Sequence, residues 1–391
     1  MKKIKIAFFD TKPYDRTYFE DILDKYNIEI KFFPARLGPD TAALVAGFDG
    51  VCVFVNDRVD SKTAEMLANE GVKLIALRCA GYNNVDLDVV WKKIHVVRVP
   101  SYSPHAVAEH AAALLMALNR KTHKAYFRTR DGNFTLNGLE GFDLYGKTAG
   151  IIGTGRIGRV LAEILRGFGM KVLVSDPFPD KNWAEEKGME YVDSDELFRS
   201  ADVISLHCPL TAENNHLINA AVLASMKKNA IIINTGRGAL IDTKALIESL
   251  KNNEIGGAGL DVYEEEDGYF FEDHSANIIQ DDVLARLLTF PNVLITSHQA
   301  FLTKEALTAI AETTLNNIRD FFEKGELPNE ICYRCGASAA TPAGADTASS
   351  EKTNDAGTAA SEKTACSGNT IDISKATFSC ICPKATTGKC F

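Results

Sequence analysis

KTAGIIGTGRIG, Lys147 to Gly158, is the stretch whose reading decides the fold. It reads as a short buried strand, a tight turn and the first turn of a helix. The turn sets Gly153, Gly155 and Gly158 in the spacing G-x-G-x-x-G. Each glycine meets a separate steric demand: Gly153 the sharp exit from the strand, Gly155 the close approach of backbone to a pyrophosphate, Gly158 the tight packing of helix on strand. The helix start adds free N–H groups and the positive end of its dipole. The next apolar run, Lys171–Ser175, ends at Asp176. There the second strand of a dinucleotide-binding βαβ unit carries a carboxylate for the adenosine ribose. Such a carboxylate accepts from the ribose hydroxyls and repels a 2′-phosphate, so NAD is expected rather than NADP. Without that context the same residues would be an ordinary glycine turn and a strand end.

At 391 residues the chain is long enough for two domains with their own cores. A formal net charge of -9, with no basic stripe, argues against nucleic acid or an anionic membrane as partner. No apolar run is long enough to cross a bilayer. MKKIKIAFFD reads as a first strand rather than a signal peptide, so a cytoplasmic protein is expected. Cys52, Cys79 and Cys208 sit in apolar, strand-like contexts and are expected to be reduced.

Outward from the glycine turn, strand and helix patterns alternate. Apolar runs at 4–9, 28–33, 51–55, 74–77 and 96–99, with helical stretches at 18–25 and 63–69, predict a parallel sheet covered on both faces. This part has no phosphate-binding turn of its own. Ser103-Pro104 is a helix start. The stripe Val107, Ala111, Leu114, Leu115, Leu118 then suits a crossover helix or a surface for a second subunit. Beyond Lys147, strands are expected at 172–175, 203–207, 231–234, 257–261 and 293–296, with a helix at 244–251. A helical pattern within 299–324 should return to the first domain. The expected fold is α/β: a split, flavodoxin-like substrate domain (1–100 and 299–332), a Rossmann NAD-binding domain (101–298), and a low-complexity, cysteine-containing tail (333–391). Residues 336–364 are expected to be disordered, because Ala, Ser, Thr, Gly and Lys cannot bury enough apolar surface to offset ordering. Six cysteines fall from the tail's edge onward: Cys332, Cys335, Cys366, Cys380, Cys382 and Cys390. A zinc site or thiol switch would be their functional readings. Their spacing fits no standard ribbon and no histidine accompanies them, so no metal is expected.

In open α/β sheets, ligands lie beyond the carboxyl ends of the strands. Arg237, Glu266 and His298 each follow a predicted strand there, as Gly153 does. The set suits hydride transfer to a 2-oxo acid. A planar guanidinium grips a carboxylate with a fork that lysine lacks. Histidine titrates near neutrality and can give a proton to the carbonyl oxygen. A glutamate partner favours the imidazolium and fixes its ring. Taken singly, each has a plainer reading: Arg237 as a helix cap, Glu266 as part of the solvated run EEED, His298 as a satisfied surface histidine. Their joint placement beside the glycine turn favours chemistry. His105, His110, His207 and His216 lack that support and are read as structural or peripheral.

The stretches RCAGYNNVDLD, VPSYSPHAVAEHA, YGKTAGIIGTGRIG, DVISLHCPLTAENNHLIN, NTGRGALID, GLDVYEEE and SHQAFLTKEAL resemble, in order and spacing, the D-isomer-specific 2-hydroxyacid dehydrogenases, and among these the lactate-forming type. The likeness runs to about Cys332; the tail departs from the family pattern. It implies Arg237 for the substrate carboxylate, Glu266 as catalytic glutamate and His298 as proton donor. It implies that Arg156 and Ile157 offer pyrophosphate-binding backbone and that Asp176 binds ribose. Cys208, Pro209, Asn214, Thr235, Gly236, Arg237 and Asp261 would line the rest of the cofactor. Cys79, Ala80, Gly81 and Tyr102 would form the substrate-side wall, and Tyr102 and Phe301 would set pocket size. A closing cleft and a homodimer or homotetramer are further implications. The insertion DGYFFEDHSANIIQDDVLARLL after Glu266 is a mark of the lactate-like members and favours pyruvate and D-lactate, with fermentative NAD regeneration as the role. Larger 2-oxo acids, such as 2-oxoisocaproate or phenylpyruvate, are the competing substrates. An NAD-sensing corepressor is the competing reading of another class.

Overall fold

The computed structural model describes residues 2–331. The predicted disorder at 336–364, the tail from 333 and the six cysteines from Cys332 onward lie outside the described residues. Those described fall into two compact units, residues 2–102 with 307–331, and Ser103–Ala306. None of their helices is long and apolar enough to cross a membrane.

The first unit is built on five parallel strands: β1 Ile4–Phe8, β2 Ile28–Phe32, β3 Gly50–Val53, β4 Leu74–Leu77 and β5 His95–Val97. Their order is β2-β1-β3-β4-β5. β3 and β4 are buried throughout, as expected for a sheet covered on both faces. Caps start the covering helices: Asp60 accepts from the Thr63 amide before Ser61–Asn69, and Asp86 from the Val89 amide before Leu87–Val90. The pattern predicted within 299–324 is helix Lys304–Arg319, whose last turn continues as a π-helix, Asp320–Lys324. Ala311, Leu315, Ile318 and Phe321 enter one core with Ile6, Phe8, Phe19 and Ile28. The chain then bonds antiparallel to β5, with the Arg98 amide on the Asn329 carbonyl and the Ile331 amide on the Val96 carbonyl.

The second unit carries seven parallel strands: β6 Thr148–Ile152, β7 Lys171–Ser175, β8 Glu190–Tyr191, β9 Val203–Leu206, β10 Ile231–Asn234, β11 Gly257–Leu260 and β12 Val293–Ile295. Their order is β12-β11-β10-β9-β6-β7-β8. Successive side chains go to opposite faces. Ile151, Val203, Ile231 and Ile233 join the core layer of the crossover helix Pro104–Arg120, while Ile152, Ile204, Leu206 and Ile232 join the other. Ser103 caps that helix, its Oγ accepting from the Ala106 amide. The strand order reverses between β6 and β9, and that reversal opens a crevice at their carboxyl ends. β8 has only two residues and no apolar run, so it was not expected.

Candidate active site

The glycine turn leaves β6 at the reversal. Gly153 has φ +95°, and a Cβ there would lie 2.7 Å from the Cys208 amide nitrogen at the end of β9. Only glycine serves both demands. A Cβ on Gly158 would collide with the Gly153 carbonyl, so helix Arg156–Gly167 sits hard against the turn. Gly155 caps the helix and faces open space, with Arg156 exposed and Ile157 half-buried after it. Asp176, after β7, accepts from the Thr154 amide at 2.7 Å and the Phe178 amide at 2.8 Å. Its carboxylate is thereby held against the turn. The loop after β9 is shaped by Asn214, which accepts from the Thr211 amide and donates to the Pro209 carbonyl, each at 2.7 Å.

Arg237, Glu266 and His298 follow the neighbouring strands β10, β11 and β12. The Asn234 side chain at the end of β10 binds the Gly236 amide and the Arg237 carbonyl, and Arg237 Nη1 donates to the Gly236 carbonyl at 2.8 Å. Gly238 is glycine because a Cβ would strike the backbone of Tyr263 and Glu264. The arginine loop therefore lies directly on the loop that carries Glu266. Glu266 Oε2 accepts from the Tyr263 amide at 3.2 Å, and its Oε1 lies 2.9 Å from His298 Nδ1. A carboxylate can only accept, so Nδ1 carries the hydrogen and Nε2 is left for a ligand. His298 has φ +49°, an uncommon backbone for a residue with a Cβ, held by its amide on the Asp261 carbonyl at 2.7 Å.

Asp261 is fully buried. Its Oδ1 accepts from Thr296 Oγ1 at 2.5 Å and the Gln299 amide at 2.9 Å, and its Oδ2 from the Ala300 amide at 2.8 Å. Burial opposes the charge, yet the hydrogen bonds from His110, Thr296 and these amides win and hold the carboxyl below its ordinary range. Asp261 thus holds the segment 296–300 on which His298 sits. His110, set aside on sequence, belongs to this knot: its Nε2 lies 3.1 Å from Thr296 Oγ1 and 3.4 Å from Asp261 Oδ1. The sequence carried no signal for it, since 186 residues separate it from Thr296. His216 pairs with Glu264, tying down the acidic run that looked solvated.

Cys79, Ala80, Gly81 and Tyr102 lie in the first unit, the first three directly after β4. Buried Arg78 anchors the start of this segment by donating to the Phe9 and Asp10 carbonyls at 3.0 and 2.7 Å, its guanidinium lying over the Phe8 and Phe54 rings. Arg98 Nη1 donates to the Ala80 carbonyl at 2.8 Å. Among the described residues, Cys52, Cys79 and Cys208 form no disulfide.

Residues 112–300 match the family model of the D-isomer specific 2-hydroxyacid dehydrogenase, NAD binding domain. The D-lactate dehydrogenase of Escherichia coli (strain K12) is 54% identical over 330 residues, which are 84% of this chain and 100% of that protein. Its apo-structure superposes with a TM-score of 0.77 at 52% identity, covering 84% of this chain and 99% of that one. The chain belongs to the D-isomer-specific 2-hydroxyacid dehydrogenases. The NAD-complexed member from Lactobacillus delbrueckii ssp. bulgaricus has a TM-score of 0.71 at 34% identity, covering 84% of this chain and 99% of that one. The cofactor of this dehydrogenase is NAD, and its residues fit that group. Gly155 leaves open space where backbone must meet phosphates, and the buried Thr235 hydroxyl has no hydrogen-bond partner among the described residues.

Two expectations arise at this dehydrogenase's cofactor edge. Asp176→Ala should raise the use of NADPH relative to NADH, read as the ratio of kcat/KM values; an unmoved ratio would remove Asp176 from ribose recognition. The second concerns His207, whose ring takes a 2.8 Å hydrogen bond with Ser205 Oγ. Burial lowers its pKa from 6.5 to about 4. The unfolded chain therefore takes the proton first, so this histidine's contribution to stability is level above pH 6.5 and falls on acidification toward pH 4. The drop in urea midpoint from about pH 7 to about pH 5 should shrink in His207→Gln.

Proposed function

We propose that this chain reduces pyruvate to D-lactate with NADH, regenerating NAD during fermentation. The observation that carries the reading is the 2.9 Å Glu266–His298 pair on a strand end beside the Arg237 loop. Bound NADH supplies the hydride. In this reading Arg237 grips the substrate carboxylate, which orients the carbonyl. Glu266 fixes the imidazole by Nδ1, and His298 gives the proton from Nε2 to the carbonyl oxygen as it gains charge. The glycine-turn backbone with Gly155, Arg156, Ile157 and Gly158 takes the pyrophosphate, and Asp176 the ribose. Cys208, Pro209, Asn214 and Thr235 are proposed cofactor contacts; Cys79, Ala80, Gly81 and Tyr102 are proposed substrate contacts. The relatives named D-lactate dehydrogenase support pyruvate as substrate.

The test is loss of NADH absorbance on adding pyruvate, beside 2-oxoisocaproate and phenylpyruvate, with chiral analysis of the product. Faster turnover of phenylpyruvate would overturn the substrate, L-lactate the stereochemistry, and no turnover the enzyme reading.

We also propose a homodimer or homotetramer. Support comes from Tyr126, Phe127, Phe134 and Leu136, which are 55 to 81% exposed. A groove of about 630 Å³, its apolar floor formed by residues such as Met116, Val160, Ile164 and Phe168 with His105, Glu109 and Glu163 also lining it, adds to it. Sedimentation as a monomer would overturn it. A cytoplasmic location is supported by the three described cysteines, none of which forms a disulfide, and is tested by cell fractionation.

A further inference from the structure

The insertion after Glu266 does more than mark a branch of the family. It starts on Glu266 itself, whose carbonyl accepts from the Tyr269 and Phe270 amides, both at 3.1 Å. Phe270 is buried in the core. Further along, Asp281 accepts from Tyr263 Oη at 2.7 Å and gives its amide to Tyr269 Oη at 2.9 Å. It also caps the helix Asp282–Thr289. These ties hold Phe271 at φ +69°, a conformation costly for a bulky side chain. Such strain persists only where the surroundings over-determine it. What it achieves is visible: the Phe271 amide donates to Ser297 Oγ at 3.3 Å, and the Phe271 ring centroid lies 5.9 Å from that of His298, the planes tilted by 34°.

We infer that Phe271 is a positioning residue for the proton donor, holding the His298 imidazole so that its Nε2 edge faces the substrate. The inference rests on the donor reading of His298 given above. The physical need is specific. The Nδ1 bond to Glu266 restrains the imidazole at one edge, in the plane of the ring; the Phe271 ring restrains its face against tilting. Both residues on either side of the contact have left-handed backbone, so neither can drift without releasing the other's support. The plainer alternative is that Phe271 only packs against the core layer it borders. For that purpose leucine would serve as well.

Phe271→Leu is therefore the deciding variant. It should lower kcat for pyruvate reduction roughly tenfold, with KM and the NADH dissociation constant unchanged within about twofold. Phe271→Tyr, which keeps the ring, should restore kcat. Phe271→Gly, which suits the backbone, is the second ring-free variant should leucine fold poorly, and it should lose kcat alike. On a His298→Gln background, Phe271→Leu should add almost nothing, because the two act as one unit. Unchanged kcat in the ring-free variants, a matching loss in the tyrosine variant, or a full additional loss on the His298→Gln background would overturn the inference. If His298→Gln alone keeps wild-type activity, the donor reading fails instead, which is a distinct result.

Discussion

His298→Gln is expected to slow pyruvate reduction by about 10²- to 10⁴-fold while leaving NADH affinity unchanged. That range corresponds to about 3–5 kcal/mol of lost transition-state stabilisation. Glutamine keeps most of the volume, and its amide can still donate to Glu266, which now sits 2.9 Å from His298 Nδ1. It has no proton to give at the far end, so the oxygen that receives charge goes unneutralised. Steady-state rates and NADH fluorescence titration check both halves, and circular dichroism checks the fold. A variant within tenfold of wild type would remove His298 from the chemistry.

Arg237→Lys is expected to cut kcat/KM for pyruvate roughly ten- to a hundredfold, chiefly through KM. Lysine keeps the charge and can reach one oxygen, but the second, parallel hydrogen bond to the carboxylate is lost. A hydrogen bond to a charged group is worth about 1.5–3 kcal/mol, which sets the size of the effect. The NADH dissociation constant should stay near wild type, because the bond from Arg237 Nη1 to the Gly236 carbonyl is local to the loop. Equal damage to NADH and pyruvate binding would assign Arg237 to loop structure instead.

Much of this arrangement was legible in the chain because the sheets are parallel and buried on both faces. β3, β4, β9 and β10 are buried along their whole length, and the candidate residues Arg237, Glu266 and His298 lie in the loops that follow strands of one sheet, where the chain must turn. The glycine spacing was legible because two of its members answer collisions that any side chain would cause. What stayed hidden has no local signal. His110 is one of several polar residues on a largely apolar helix, and its partners Thr296 and Asp261 are distant in sequence. Asp261 is a cofactor position by family resemblance; that its carboxylate also gathers backbone amides of the loop at 299–300 has no signature in the residues around it. Phe271 sits in a charged insertion, and nothing in its neighbours announces a left-handed phenylalanine. Gly238 gave no hint that its missing side chain is what brings the arginine and glutamate loops together.

The Asp261 knot has a consequence for motion. One carboxylate fastens a helix that begins at Pro104 to a loop that ends at Ala300. The stretch bearing His298 cannot be peeled away alone, because loosening it would strand a buried negative charge. When this part of the protein moves, helix and loop travel as one plate, and His298 keeps its place against the helix.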